Sequence, residues 1–453
     1  MKAGPGQLGA GGLAVAGILS LAASSLAASS LAAAPLQAGG PETAVAAPVA
    51  MTRGTTPSGP PVQVGLDRLV DSRLDLLDGK RVGLITNPTG VTGDLEHGID
   101  LLLAHEAEGG YELTALYGPE HGVRGGVPAG AYVESYTDER TGLPVYSLYG
   151  PTQKPTVAML AHVDVLVFDI QDIGARFYTY IWTMYYTMQA AAENDIEYIV
   201  LDRPNPLGER MDGPALDPAL SSFVGLREIP QQHGLTVGEL ARLFNGEFLA
   251  EPADLEVVQM RGYQARFFEN GWNLPWVLPS PNIPTQETAW VYPGLGLIES
   301  VNVSEGRGTT KPFQWFGAPW IDEQEAYALA EDLNARSLPG VTFRPMFATP
   351  SASKHAGRFS GGLEVHVTDP VAFAPVPTGV HVLDALFTHI EEVDWREGAG
   401  CRTEAQVCWI DRLSGDKDVR LQLDAGVAPE MIVAGWQGDL EAFAAIAEAY
   451  RLY

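Results

Sequence analysis

Between Arg81 and Met260 short apolar runs alternate with longer stretches that carry an apolar stripe. Residues 81–86 (RVGLIT), Leu113–Leu116, Val145–Leu148, Val163–Ile170, Tyr198–Leu201 and Leu255–Met260 have strand length and are bounded by turn signals. The run Val165–Phe168 has no polar residue, as in a strand covered on both faces. Ile99, Leu102 and Leu103 predict a helix after the Asn87-Pro88-Thr89-Gly90 turn, and Tyr180–Glu193 predicts another. Thr236 and Glu239 form a capping box for a third helix running to Phe244. Strand and helix in alternation predict an α/β fold with an open, mostly parallel sheet covered on both faces.

The pattern changes beyond that. Trp272–Thr285 (WNLPWVLPSPNIPT) is dense in Pro and Trp and reads as an ordered linker over a cleft. Past Lys311, helices are predicted over Asp322–Ala335, Val380–Ile390 and Asp439–Tyr450. Gly340–Arg344 reads as a strand, and Leu363–Val367 alternates like a half-buried one. This is an α+β pattern. The expected division is a catalytic domain at 62–285 and a smaller α+β C-terminal domain at 286–453 that completes the cleft.

The N-terminus has a different character. Lys2 precedes a stretch from Leu13 to about Ala34 built only from Ala, Leu, Ser, Gly, Val and Ile. It reads as a secretory signal peptide over 1–38, followed by a Pro/Gly/Thr-rich flexible leader at 39–61. The expected destination is outside the cytoplasm, secreted or periplasmic, with no membrane attachment after signal removal. A formal net charge of −28 without a Lys/Arg cluster disfavours nucleic acid and anionic lipid. Cys401 and Cys408 are the only cysteines, and in an exported chain they can close a small disulfide loop, free thiols being the alternative. The scattered His residues, with no His-Glu-x-x-His and no CxxC, indicate no metal.

Candidate chemistry gathers at the predicted strand ends. Asn87, Glu120, His121, Asp169, Asp172, Asp202, Arg203 and Asn205 all follow apolar runs. In open α/β sheets ligands sit beyond the carboxyl ends of the strands. Arg124 lies in the glycine-rich loop after Glu120, Arg176 follows Asp172, and Glu305-Gly306-Arg307 offers another acid with a guanidinium. Gly294-x-Gly296 lacks the third glycine and the strand-turn-helix context of a dinucleotide fingerprint. No Walker loop and no Gly-x-Ser-x-Gly elbow occurs, so no cofactor is expected and a serine esterase is disfavoured. Carboxylates with Arg, His, Tyr and Trp suit sugar chemistry, where one carboxylic acid protonates the leaving oxygen. Tyr178, Trp182 and Trp315 are candidates to stack on a pyranose face.

Six blocks in fixed order, VGLITNPTGV, LYGPEHGVRG, DIQDIGARFYTYIWTM, LDRPNPLG, LPSPNIPT and SEGRGTTKPF, resemble the NamZ-type exo-β-N-acetylmuramidases over nearly the whole chain from Val62. The resemblance implies a Rossmann-like domain with a smaller C-terminal domain and an active site between them. It also implies hydrolysis of terminal non-reducing β-1,4-linked N-acetylmuramic acid from peptidoglycan fragments, with Glu120 at the family's catalytic position. On that reading Glu120 is the general acid/base, His121 positions or tunes it, and Glu305 is the second carboxylate, with Asp169 and Asp172 as alternatives. Arg307 is the expected partner of the lactyl carboxylate, with Arg176 and Arg124 as competitors. Asn87, Asp172, Tyr178, Arg203 and Asn205 complete the expected substrate-binding set. A non-catalytic peptidoglycan-binding protein and a carbohydrate esterase are the alternative functions.

Overall fold

Apolar runs become strands where the sequence places them. In the computed structural model β1 (Arg81–Thr86), β2 (Glu112–Gly118), β3 (Tyr136–Thr137), β4 (Pro144–Ser147), β5 (Val165–Asp169) and β6 (Glu197–Leu201) belong to one sheet. β7 (Asp212–Ala215) and β8 (Pro230–Gln232) fold out as an antiparallel ribbon, and β9 (Leu255–Val258) returns to the far edge. The structure describes residues 62–128, 130–132, 134–265 and 274–453, the side chains of 399 and 402 excepted. The expected signal peptide and leader, and Trp272, lie outside them. No helix among the described residues is long and apolar enough to cross a membrane.

The sheet order is β3-β4-β2-β1-β5-β6-β9, parallel throughout except for β3 at the edge. β1, β2, β5 and β6 are almost wholly buried, because helices cover both faces. Helix Gly98–Gly109 serves one face, packing Ile99 and Leu102 with Leu84 and Val167. Helix Tyr180–Ala192 serves the other, packing Met184 and Met188 with Phe168 and Tyr198. The Thr236/Glu239 capping box opens helix Val237–Leu243, with Thr236 Oγ1 accepting from the Glu239 amide.

The C-terminal part is smaller and mixed. β10 (Trp315–Ala318), β11 (Val341–Ala348) and β12 (Ser360–Val367) form an antiparallel sheet in the order β10-β12-β11. β12 is therefore central, and it is buried from Ser360 to Val365 instead of alternating. Helices Glu323–Ala335 and Pro375–His389 pack alongside. The second begins five residues before the expected Val380, because Pro375 and Pro377 stand in the first turn, where no N–H is needed. Helix Gln437–Ala447 ends in a 3₁₀ turn that reaches Tyr450. The Gly294 region, dismissed as a cofactor loop, has a packing role. A Cβ on Gly294 would lie 1.8 Å from Pro375 O, and one on Gly379 would lie 2.4 Å from Gly294 O. Helices Gln286–Leu295 and Pro375–His389 touch backbone to backbone there.

The sheet's topological switch point lies between β1 and β5, where strand order changes direction. That crevice is filled by the protein itself. Thr86 Oγ1 donates to Asp169 O at 3.1 Å, and Asp169 pairs with Arg203 at 2.6 Å, both side chains nearly inaccessible. Space for a ligand opens instead beyond β2 and β4.

Candidate active site

β2 delivers the chain to Gly118-Pro119, after which His121 (φ 70°) and Gly122 (φ 72°) are consecutive left-handed residues. The two reverse the backbone, turning His121 inward and leaving Glu120 half-buried at the cleft. His121 Nδ1 lies 2.7 Å from Val127 O and closes the loop. That loop brings the Gly130 amide to Glu120 Oε1 at 2.9 Å. Thr179 Oγ1 donates to Glu120 Oε2 at 3.1 Å, and the Tyr149 hydroxyl stands beside this carboxylate. Burial and the Glu120 charge push the Tyr149 hydroxyl above its ordinary range.

Glu120 stands in the wall of a cleft of about 800 Å³, with an adjoining recess of about 50 Å³ also lined by His121, Tyr178 and Ser280. This falls within the range of small-molecule sites. Pro281 and Asn282 contribute from the irregular segment before Thr285, and Arg307, Ser353, Arg396 and Trp409 from the C-terminal part. Arg307 pairs with Glu299 at 2.8 Å and Glu305 at 3.0 Å, and its guanidinium lies 5.0 Å from the Phe313 ring centre. Tyr292 is buried among these groups. Burial raises its hydroxyl well above the ordinary value, and Glu299, Glu120 and Glu305 add to the effect.

Other predicted residues sit elsewhere or are tied down. Glu305 is almost inaccessible, between Arg307 and Lys354 Nζ at 3.1 Å. Burial alone would push its pKa up, but Lys354 and Arg307 outweigh that and hold it below the usual carboxylate range. It does not line the cleft. Asp169 and Arg203 hold each other in the switch-point crevice, with Arg203 also donating to Val91 O at 3.0 Å. Asp172 accepts from the Gly174 amide at 2.7 Å and lies 3.1 Å from His233 Nε2. Asn87 Oδ1 accepts from the Thr89 amide at 2.9 Å, and Asn205 caps its own turn through the Leu207 amide at 2.9 Å. Arg124 grips Asp138 at 2.9 Å across the β2–β4 connection.

Arg176 departs furthest from the expectation. It is fully buried, donating to Pro214 O at 3.0 Å, Ile229 O at 2.9 Å and Leu413 O at 2.9 Å. A guanidinium enclosed in this way is not offered to substrate. Trp182 and Trp315 are likewise core residues, Trp182 stacked on Phe244 and Trp315 donating to Met346 O. Of the expected set, the cleft and its recess bring together Glu120, His121, Tyr178 and Arg307.

Sequence reasoning missed Tyr149, Thr179, Asn282, Glu299, Arg396 and Trp409. Tyr149 was within reach, because it follows β4 by two residues, the strand-end position used for the other candidates. Thr179 immediately precedes a predicted helix. Arg396 and Trp409 gave no pattern signal, being brought to the cleft by the chain around Cys401–Cys408, which the structure shows disulfide-bonded.

Comparison with known proteins agrees with this architecture. Residues 82–287 match the family model described as exo-β-N-acetylmuramidase NamZ, N-terminal, and residues 290–453 match its C-terminal counterpart. The peptidoglycan β-N-acetylmuramidase NamZ of Bacillus subtilis (strain 168) is 47% identical over 404 residues, covering 89% of this chain and 94% of that protein. A crystal structure of a DUF1343 family protein from Bacteroides fragilis superposes with a TM-score of 0.78 at 41% identity, covering 86% of this chain and 99% of the other. A second protein of that family and organism gives 0.68 at 29% identity with the same coverage.

Proposed function

The chain belongs to the NamZ exo-β-N-acetylmuramidase family, and from that premise we propose that it releases terminal non-reducing β-1,4-linked N-acetylmuramic acid from peptidoglycan fragments. One observation carries the assignment of its chemistry. Four charged side chains line the cleft among the described residues: Glu120, Glu299, Arg307 and Arg396. Glu299 is paired with Arg307, whereas Glu120 is held by an amide and the Thr179 hydroxyl, with the Tyr149 hydroxyl beside it, and has no cationic partner among the described residues.

Hydroxyls beside the carboxyl suit a residue that must give up and regain a proton. Thr and Tyr hydroxyls donate to a carboxylate, and by rotating they accept from a carboxylic acid. As the acid, Glu120 protonates the glycosidic oxygen as its bond to the anomeric carbon breaks. With Glu120 the one unpaired carboxylate lining the cleft among the described residues, the nucleophile falls to the substrate. The oxygen of the 2-acetamido group forms the new bond to the anomeric carbon, giving a cyclic oxazolinium ion. Water then adds to that carbon, Glu120 takes its proton, and the ring opens with retained configuration. The polymer lies outside the cytoplasm, and the apolar stretch Leu13–Ala34 supports export to it.

The test is release of a chromogenic aglycone from an aryl β-N-acetylmuramide. Glu120→Gln is expected to lower kcat by roughly 10²–10⁴-fold, the usual worth of a general acid. Wild-type turnover in that variant would remove Glu120 from the mechanism.

A further inference from the structure

We propose that Arg396, mounted on Trp409 at the rim of the cleft, is the residue that reads the carboxylate on the 3-O-substituent of the bound sugar. This rests on the muramidase reading and assigns its anion recognition to a residue absent from the expected site. On a chain of net charge −28, an anionic ligand needs a local cation. Among the described residues the cleft offers two, Arg307 and Arg396. Arg307 lies against Glu299 and Glu305, so its charge is already matched. Arg396 is exposed and has no carboxylate partner among the described residues. Its guanidinium lies 5.3 Å from the centre of the Trp409 ring. An arginine lying over an indole keeps its N–H edge available for a carboxylate, while the ring fixes its plane.

The mount is rigid at both ends. The Arg396 amide donates to Ser300 O at 2.7 Å, directly after the buried Trp395. Trp409 follows Cys408, which is disulfide-bonded to Cys401, and its amide donates to Glu397 at 3.2 Å. Beneath this loop Arg420 and Asp411 form a fully buried pair at 2.8 Å, and Arg420 also donates to Thr403 O and Gln406 O. A recognition arginine gains most from such preorganisation, since little side-chain freedom remains to be lost on binding.

Two matched aryl β-glycosides test the assignment: N-acetylmuramide, and the same compound with its lactyl carboxylate converted to a methylamide. The preference for the acid, taken as a ratio of kcat/KM, is expected to fall roughly tenfold to a hundredfold in Arg396→Gln, the range of a charge-assisted hydrogen bond. Arg396→Lys should recover part of it. An unchanged ratio in Arg396→Gln, or a collapse seen in Arg307→Gln instead, overturns the proposal. Calorimetric binding of free N-acetylmuramic acid and its methylamide to the same proteins gives a readout independent of turnover. If the wild type binds the acid in preference and loses that preference in Arg396→Gln, yet cleaves neither glycoside, the carboxylate reader stands and the hydrolase reading falls. If the wild type shows no preference for the acid, Arg396 does not read it.

Discussion

Lys354 and Glu305 form an ion pair of 3.1 Å beneath the cleft, and the same ammonium lies within hydrogen-bond reach of the carbonyls of Ile298, Glu299, Val301 and Val303. Lys354 thus ties the β11–β12 connection to the segment that carries Arg307. Glu305, expected as the second catalytic carboxylate, holds Arg307 in place instead. Removing one member of such a pair strands the other. Lys354→Met is expected to cost about 3–5 kcal/mol, and Lys354→Met with Glu305→Gln less than the two single losses summed. Urea unfolding of the four proteins in this cycle is the measurement.

The hydroxyl contacts to Glu120 predict a graded series. Tyr149→Phe and Thr179→Val each remove one hydroxyl beside Glu120 while keeping most of the side chain. Each should lower kcat roughly tenfold to a hundredfold while the chain stays folded, since one hydrogen bond to a charged group is worth roughly 1.5–3 kcal/mol. A loss of folding, seen in circular dichroism, would assign them to structure instead.

Participation of the acetamido group predicts the first product formed. Proton NMR of the reaction should show the β-anomer of N-acetylmuramic acid before mutarotation, and a thiazoline analogue of the cyclic ion should inhibit competitively. Initial release of the α-anomer would require a water-attacking mechanism and a second carboxylate.

Asp202 predicts a pH dependence of stability. Burial pushes its pKa up to about 7, against hydrogen bonds from Tyr453 and Thr236 hydroxyls and the Gly238 amide. The value is raised relative to the unfolded chain, so its contribution is fully present below about pH 4 and is lost as pH rises through 7. A shift from 3.8 to about 7 corresponds to about 4 kcal/mol. The melting temperature should fall between about pH 4 and pH 7 and level off above it. Asp202→Asn should flatten that slope while lowering the midpoint, since its amide N–H groups face other donors.

The disulfide has its own test. Cys401 and Cys408 are seven positions apart, and in the chain-entropy model a loop of that size is worth about 2–3 kcal/mol. Cys401→Ala with Cys408→Ala should lower the unfolding midpoint, and reductant should bring the wild type close to the variant.

Much of the first half was legible because each strand there is a self-contained apolar run. RVGLIT and VLVFD are strands over nearly the expected bounds. β12 misled, because alternation reports exposure only in a strand with one open face, and from Ser360 to Val365 both faces of β12 are buried. The short helices Trp409–Ser414, Lys417–Asp424 and Pro429–Gly435 left little periodic signal. Polar strand ends pointed to the rim of the sheet where the cleft opens, yet polarity alone could not separate Glu120 from Asp169. The difference is a partner distant in sequence, Arg203, which neutralises one acid and not the other. Arg176 misled similarly, since its acceptors are backbone carbonyls and carry no mark in the sequence.

Those carbonyls belong to β7, to the residue preceding β8 and to helix Trp409–Ser414, whose first residue lines the cleft. Parting the ribbon from that helix would take the Leu413 acceptor away from a buried guanidinium that stays with the ribbon. One guanidinium thus fastens the two jaws of this enzyme to each other, beside the aperture that a saccharide end must enter.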